Sequence, residues 1–335
     1  MNSFSLGDLA QTFMLQRRGA ALKADLGRIT EELSTGQVSD VKSVLAGNTS
    51  YLSDLESDLQ TLAGYRVATV EAGQFADATQ SALERVNASV ESLSAKYLAM
   101  SPHANGPVLD QFTAEAEAEL ATIVDALNTS SGGRSLFSGR ATDQPALQGM
   151  ETLLAELRAA TVGATSTTDL KLAAETWFND PSGFAALVYN GTDETLAPFR
   201  LGGDETVGLN LTANSQALRD VLMHVSIAAI SGDISYGLSS DNRQALLQET
   251  GQTLFQAQSA LTSTRASVGS SQAQIEVVAA RNSAEEFSLL SAKSALLQVD
   301  PYEAATELEA VQFQLQSLYT ITARMSDMSF VNYIR

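Results

Sequence analysis

The sequence predicts a mainly α-helical chain: a long antiparallel helical rod or bundle formed by N- and C-terminal arms, with a small β-containing domain inserted between them. Three observations carry this expectation. Apolar residues recur at heptad spacing near both ends of the chain. Much longer stretches of helical periodicity follow the first arm and precede the second. Between them the texture changes to turn clusters and short β-like runs. The organisation that follows is an N-terminal coiled-coil arm (1–40), an outgoing helical rod (41–135), an inserted domain of helices and strands (136–212), a returning rod (213–300) and a C-terminal coiled-coil arm (301–335).

The N-terminal arm carries Leu15, Gly19, Leu22, Leu26, Ile29 and Leu33 at steps of 4, 3, 4, 3 and 4. Such a narrow stripe needs a partner helix. A turn signal, Ser34-Thr35-Gly36-Gln37-Val38-Ser39-Asp40, ends it. The next helix reads from residue 41, with Leu52, Leu55, Leu59 and Leu62 on one face, and becomes strict again at Leu83, Val86, Val90, Leu93, Tyr97 and Met100. A single helix over 41–100 would span roughly 90 Å, and Gly64 and Gly73 are candidate bends. Residues 101–107, with two prolines, read as a turn, and Leu120, Ile123 and Leu127 mark another helix over 109–128. Ser130-Ser131-Gly132-Gly133 reads as a loop.

In the insert, helical pieces are expected at 151–160 and 169–178, and β-like runs at 184–189, 196–201 and 207–211. Asn190-Gly191-Thr192-Asp193 and Gly202-Gly203-Asp204 lie where hairpin connections belong. Trp177 and Phe178 are candidate core residues. Helix resumes over 213–230, and a long return helix runs over 241–298 with Leu254, Leu261, Val268 and Ile275 one heptad apart. The C-terminal arm has a clear start, with Asp300 as N-cap, Pro301 in the first helical position and Glu303 placed for a capping box. Its stripe is Leu308, Val311, Leu315, Leu318, Thr322 and Met325. The first thirty residues hold four basic and two acidic side chains, whereas 301–335 hold four acidic and two basic. The two arms are therefore expected to pair with each other, although a C-terminal helix packed on its own domain is the alternative.

Composition narrows the function. A net charge of −19 argues against nucleic acid and against an anionic membrane surface. The absence of cysteine excludes disulfides and thiolate metal sites. No apolar run approaches a membrane span, and the first 16 residues, which include Asp8, lack the continuous apolar core of a signal peptide. His103 and His224 have no companions at metal-ligand spacing, and no nucleophile elbow, phosphate loop or dinucleotide fingerprint is present. Glu115, Glu117 and Glu119, and the Glu285-Glu286 pair, read as solvated helix faces. Arg85, Arg265 and Arg281 on the long helices read either as surface arginines with partners one turn along, such as Glu285 for Arg281, or as inter-subunit contacts. No catalytic group, cofactor or metal site is expected.

Several stretches carry a resemblance to a known family. Glu31-Glu32-Leu33-Ser34-Thr35-Gly36 resembles an N-terminal segment of the bacterial flagellin superfamily, and Arg265-Ala266-Ser267-Val268-Gly269, followed by Ile275-Glu276, resembles its C-terminal counterpart. Within the superfamily the hook-filament junction subfamily is the nearer likeness. It rests on Leu136-Phe137-Ser138-Gly139-Arg140-Ala141-Thr142-Asp143-Gln144-Pro145-Ala146, on Tyr189-Asn190-Gly191 and on the ending Met328-Ser329-Phe330-Val331-Asn332-Tyr333-Ile334. The segment after Ser-Thr-Gly is shorter than in the family, and the final Arg335 is closer to flagellins. The resemblance implies an extracellular structural subunit of the flagellum, exported unfolded through the flagellar type III apparatus with the help of a chaperone. Its implied neighbours are the first hook-associated protein, flagellin and further copies of itself in a ring at the hook tip, with a minor flagellin of the filament as the alternative. It also implies that the terminal helices form assembly surfaces, with Leu15, Leu22, Leu26, Ile29, Leu33, Leu308, Val311, Leu315, Leu318, Met325, Phe330 and Tyr333 as the candidate interface residues.

Overall fold

Helix dominates the chain because most of it is periodic and rich in good helix formers. The computed structural model describes residues 4–41, 45 and 49–333, with side chains placed within 10–325. Of the expected interface residues, Phe330 and Tyr333 have side chains outside that range, and Ile334 and Arg335 lie outside the described residues, as does part of the stretch after Asp40. In chain order the elements are α1 (Phe4–Thr35), α2 (Ser50–Leu98), α3 (Gly106–Leu127), β1 (Ser130–Ser131), β2 (Arg134–Ser135), α4 (Met150–Ala160), α5 (Thr167–Asn179), α6 (Phe184–Leu187), β3 (Phe199–Arg200), β4 (Thr206–Val207), α7 (Gln216–Ile230), a 3-10 turn (Ile234–Tyr236), α8 (Ser240–Leu297) and α9 (Pro301–Tyr333). They fall into two compact units, one of residues 1–61 with 284–335, the other of residues 62–283.

In the larger unit the strict heptads of α2 become core. Leu83, Val86, Val90, Leu93 and Tyr97 are fully buried, together with Leu120, Ile123 and Leu127 of α3 and Leu254 and Leu261 of α8. Helices α2 and α8 run antiparallel. Gln258 donates to the Ser94 hydroxyl at 3.1 Å and Gln272 to the Asp77 carboxylate at 2.7 Å, and Ile275 lies over Gly73. Helix α2 runs unbroken through Gly64 and Gly73, the two candidate bends. Helix α7 is apolar almost all round and buried along most of its length, as such a helix must be.

His224 sits half-buried among the apolar residues of α7. Burial pushes its pKa below the ordinary histidine value, against the pull of Asp220, Glu175 and Glu249 and aided by Lys171. The folded chain thus binds fewer protons than the unfolded one below about pH 6.5. The contribution to stability is complete above that pH and is lost as pH falls through the folded pKa. The thermal midpoint of the wild-type chain should drop between pH 6.5 and 5 more steeply than that of His224→Gln. Equal slopes would remove His224 as the cause.

The insert departs from expectation in detail. The run at 184–189 is not a strand. Phe184–Leu187 forms one helical turn, with Tyr189 in an isolated bridge to Leu147. The turn places Phe184 against Trp177 and Phe178, with ring centroids 6.2 and 5.1 Å apart, and Trp177 and Phe178 are core residues as expected. Ser130-Ser131-Gly132-Gly133 is not a plain loop. It pairs with Arg134–Ser135 in a short hairpin whose two glycines both have positive φ, the conformation a tight hairpin turn requires. Gly202-Gly203-Asp204 does connect two strands, β3 and β4. Helix α3 begins earlier than expected, because Asn105 caps it by accepting from the Val108 amide at 3.2 Å. Arg281 pairs with Glu205 beside the β3–β4 turn, a partner across 76 positions of sequence that helical spacing could not suggest.

Candidate assembly interface

The smaller unit is built around the two arms. Helix α1 ends where the Ser-Thr-Gly segment supplies Gly36 in the left-handed region (φ 71°), whose amide donates to the Glu32 carbonyl at 2.8 Å. The chain then forms a small antiparallel bridge with the end of α8. The Val38 amide donates to the Leu297 carbonyl at 2.9 Å and the Val299 amide to that of Gly36 at 3.1 Å. The next residue, Asp300, caps α9 by accepting from the amides of Tyr302 and Glu303 at 2.8 and 3.3 Å. Both arms therefore leave from one fixed corner.

From that corner α1 and α9 run antiparallel. Leu22, Ile29, Ala304, Val311 and Leu315 form one buried cluster, with Leu26, Leu33, Val299 and Leu308 packed partly buried against it. Leu15, Leu318 and Met325 are half-buried, whereas Thr322 is exposed. Gly19 gives Leu318 room, since a Cβ there would lie 3.1 Å from the leucine methyl. Seven of the twelve expected interface residues thus belong to this intrachain cluster and Leu318 faces Gly19 beside it, while Phe330 and Tyr333 lie beyond the described side chains.

Charge pins the base of the pair. Arg28 reaches Glu32 on its own helix at 2.8 Å and Glu307 on α9 at 3.0 Å. The second oxygen of Glu32 accepts from the Ser39 amide at 2.9 Å. Glu32 is buried, so these bonds satisfy a carboxylate that would otherwise be costly there. Burial alone would lower the Arg28 pKa, but the two carboxylates outweigh it and raise it.

Heptad spacing marks the inner stripe of each arm but not the exposed aromatics outside it. Phe13, Tyr302 and Phe313 are 65, 83 and 71% exposed, and Tyr319 and Ile321 are more than half exposed. The signal was present as two aromatics eleven residues apart, three helical turns, on the side of α9 opposite its seam.

In the larger unit, the two insert motifs singled out in the sequence interlock. The Thr192 amide donates to the Ser138 carbonyl at 3.0 Å and the Arg140 amide to the Glu194 carbonyl at 3.0 Å, while Gln148 reaches Asn190 at 2.7 Å. Tyr189 donates its hydroxyl to the Thr192 carbonyl at 2.9 Å. Among the described residues, no group of three or more His, Asp or Glu side chains could hold a metal ion, and no helix is long and apolar enough to cross a membrane.

Residues 9–142 match the model of the bacterial flagellin N-terminal helical region, and residues 252–334 match that of the bacterial flagellin C-terminal helical region. The two regions together span well over half of the chain and include both arms. The chain belongs to the flagellin superfamily. It is accordingly a structural subunit of the bacterial flagellum, a part that lies outside the cell, and its family is one of structural proteins rather than enzymes. Its fold is similar to a solved structure described as a flagellar hook-associated protein from Vibrio parahaemolyticus. The TM-score is 0.51 at 13% identity, over 73% of this chain and 95% of that one. No curated protein matches the sequence significantly. The helical, flagellin-like architecture with a small β-containing part is thus the one expected, and the flagellin regions meet in the α1–α9 pair.

Proposed function

We propose that this flagellin-superfamily chain is the subunit that joins the flagellar hook to the filament. The observation that carries the reading is the interlock of Leu136-Phe137-Ser138-Gly139 with Tyr189-Asn190-Gly191. These stretches resemble the junction subfamily rather than flagellins at large, and they hold one another in place within the insert. The likeness in fold to a protein described as hook-associated supports the same reading. On this reading the chain leaves the cell through the flagellar export apparatus with a chaperone. It assembles through its terminal helices with its own copies, on the first hook-associated protein below and flagellin above.

Deleting the gene should leave cells with hooks but no filaments and with flagellin shed into the medium as monomer, as seen by electron microscopy and by assay of the medium. Intact filaments and normal swimming would overturn the junction role and leave a minor flagellin of the filament as the reading.

A further inference from the structure

The seam of α1 and α9 is filled within one chain, so contacts between copies must use other surfaces. The outer face of α9 carries Tyr302 and Phe313 in the open with Glu309 between them, and the outer face of α1 carries exposed Phe13 and Arg17. At about 100° per residue, Tyr302, Glu309 and Phe313 lie within about 40° of one another and opposite Val311 and Leu315. Phe13, Arg17 and Ala24 cluster likewise on α1, opposite Ile29. Neither Arg17 nor Glu309 is ion-paired among the described residues, whereas Arg28 and Glu307, nearer the seam, are paired with each other.

The two faces have matching spacing. From Phe313 towards the N-terminus of α9, Glu309 follows after four residues and Tyr302 after a further seven. From Phe13 towards the C-terminus of α1, Arg17 follows after four and Ala24 after a further seven. Laid antiparallel, Phe313 meets Phe13, Glu309 meets Arg17, and the Tyr302 ring lies on the small Ala24. One chain cannot make this contact with itself, because its two outer faces point away from each other and its own register sets Gly19 against Leu318. We infer that the α9 outer face of one copy docks on the α1 outer face of a second copy, aligned by Glu309–Arg17 with the aromatics on either side. A contact between two different faces repeats from copy to copy, so it builds a ring or a tube rather than a closed dimer. The inference rests on the reading of the chain as a self-assembling flagellar subunit.

The sequence has no cysteine, which makes a clean test available. Cells are supplied with the chain carrying Arg17→Cys and Glu309→Cys together, or each alone, and their isolated flagella are oxidised. A ladder of covalent multimers from the double variant, with none from either single variant, is expected. In parallel, Arg17→Glu and Glu309→Arg should each lower the amount of the chain in flagella by about fivefold or more, and the two together should restore it. Double-cysteine flagella that contain the chain but give no ladder would overturn this contact and leave the junction role standing. Wild-type chain missing from flagella would overturn both.

Discussion

Removing residues 301–335 should leave the larger unit folded and abolish incorporation into the flagellum. The deletion takes away α9 and with it one side of the seam that buries Ile29 and Leu22. Burial of each such side chain is worth about 1.5–3 kcal/mol, and the Arg28–Glu307 bond is lost as well. What remains of α1 is a single helix whose apolar stripe faces water, and tertiary packing rather than intrinsic propensity supplies most helical stability. Its amides should therefore lose their protection from hydrogen exchange. Residues 62–283 keep their own core around Leu83, Val86, Leu120 and Leu254 and should unfold at the temperature seen in the full chain. The truncated chain should be absent from isolated flagella. Protected amides in α1, or truncated chain recovered in flagella, would show that the seam is not what holds the arms.

The long elements were legible because a helix declares itself through many repeats. The stripe over Leu83, Val86, Val90, Leu93 and Tyr97 maps residue for residue onto buried positions, and the terminal seam maps onto buried or half-buried ones at all but Thr322. The insert was legible only in outline. Strands β1 to β4 have two residues each, too short for alternation to appear. Residues 184–188, Phe-Ala-Ala-Leu-Val, are apolar without a period, and such a short run does not distinguish strand from helix. The aromatic contact of Phe184 with Trp177 and Phe178 decides for a helical turn there. Arg281 found Glu205 through tertiary structure, which spacing along one helix cannot show. At the interface, the search for heptads found where α1 and α9 meet each other. It passed over Phe13, Tyr302 and Phe313 because single aromatics on a polar face make no stripe.

Gly139→Ala should be among the most damaging single-methyl changes in the insert. Gly139 has φ of 63°, where a residue with a Cβ costs about 1–2 kcal/mol. The added carbon would also sit 2.5 Å from the Glu194 carbonyl oxygen and closer still to that of Thr192. Neither oxygen is the tip of a flexible side chain. The Glu194 carbonyl accepts the Arg140 amide, and Thr192 is tied back to Ser138 and to the Tyr189 hydroxyl, so relief requires the whole interlock to part. The cost should reach about 3 kcal/mol or more, within the range that only strain or a broken core produces. For a unit of this size that lowers the thermal midpoint by about 6–12 °C. Gly191→Ala should behave alike, because its Cβ would lie 2.6 Å from the Ser138 carbonyl and against the Tyr189 ring. Gly203→Ala, with open space around it, is the control and should shift stability by less than about 0.5 kcal/mol. Calorimetry of the three variants checks the ranking. If Gly139→Ala melted with the control, the interlock would not be holding the insert. If it melted early, the same variant in cells would show whether the junction needs the insert intact, since the α1–α9 seam and its corner contain none of these glycines.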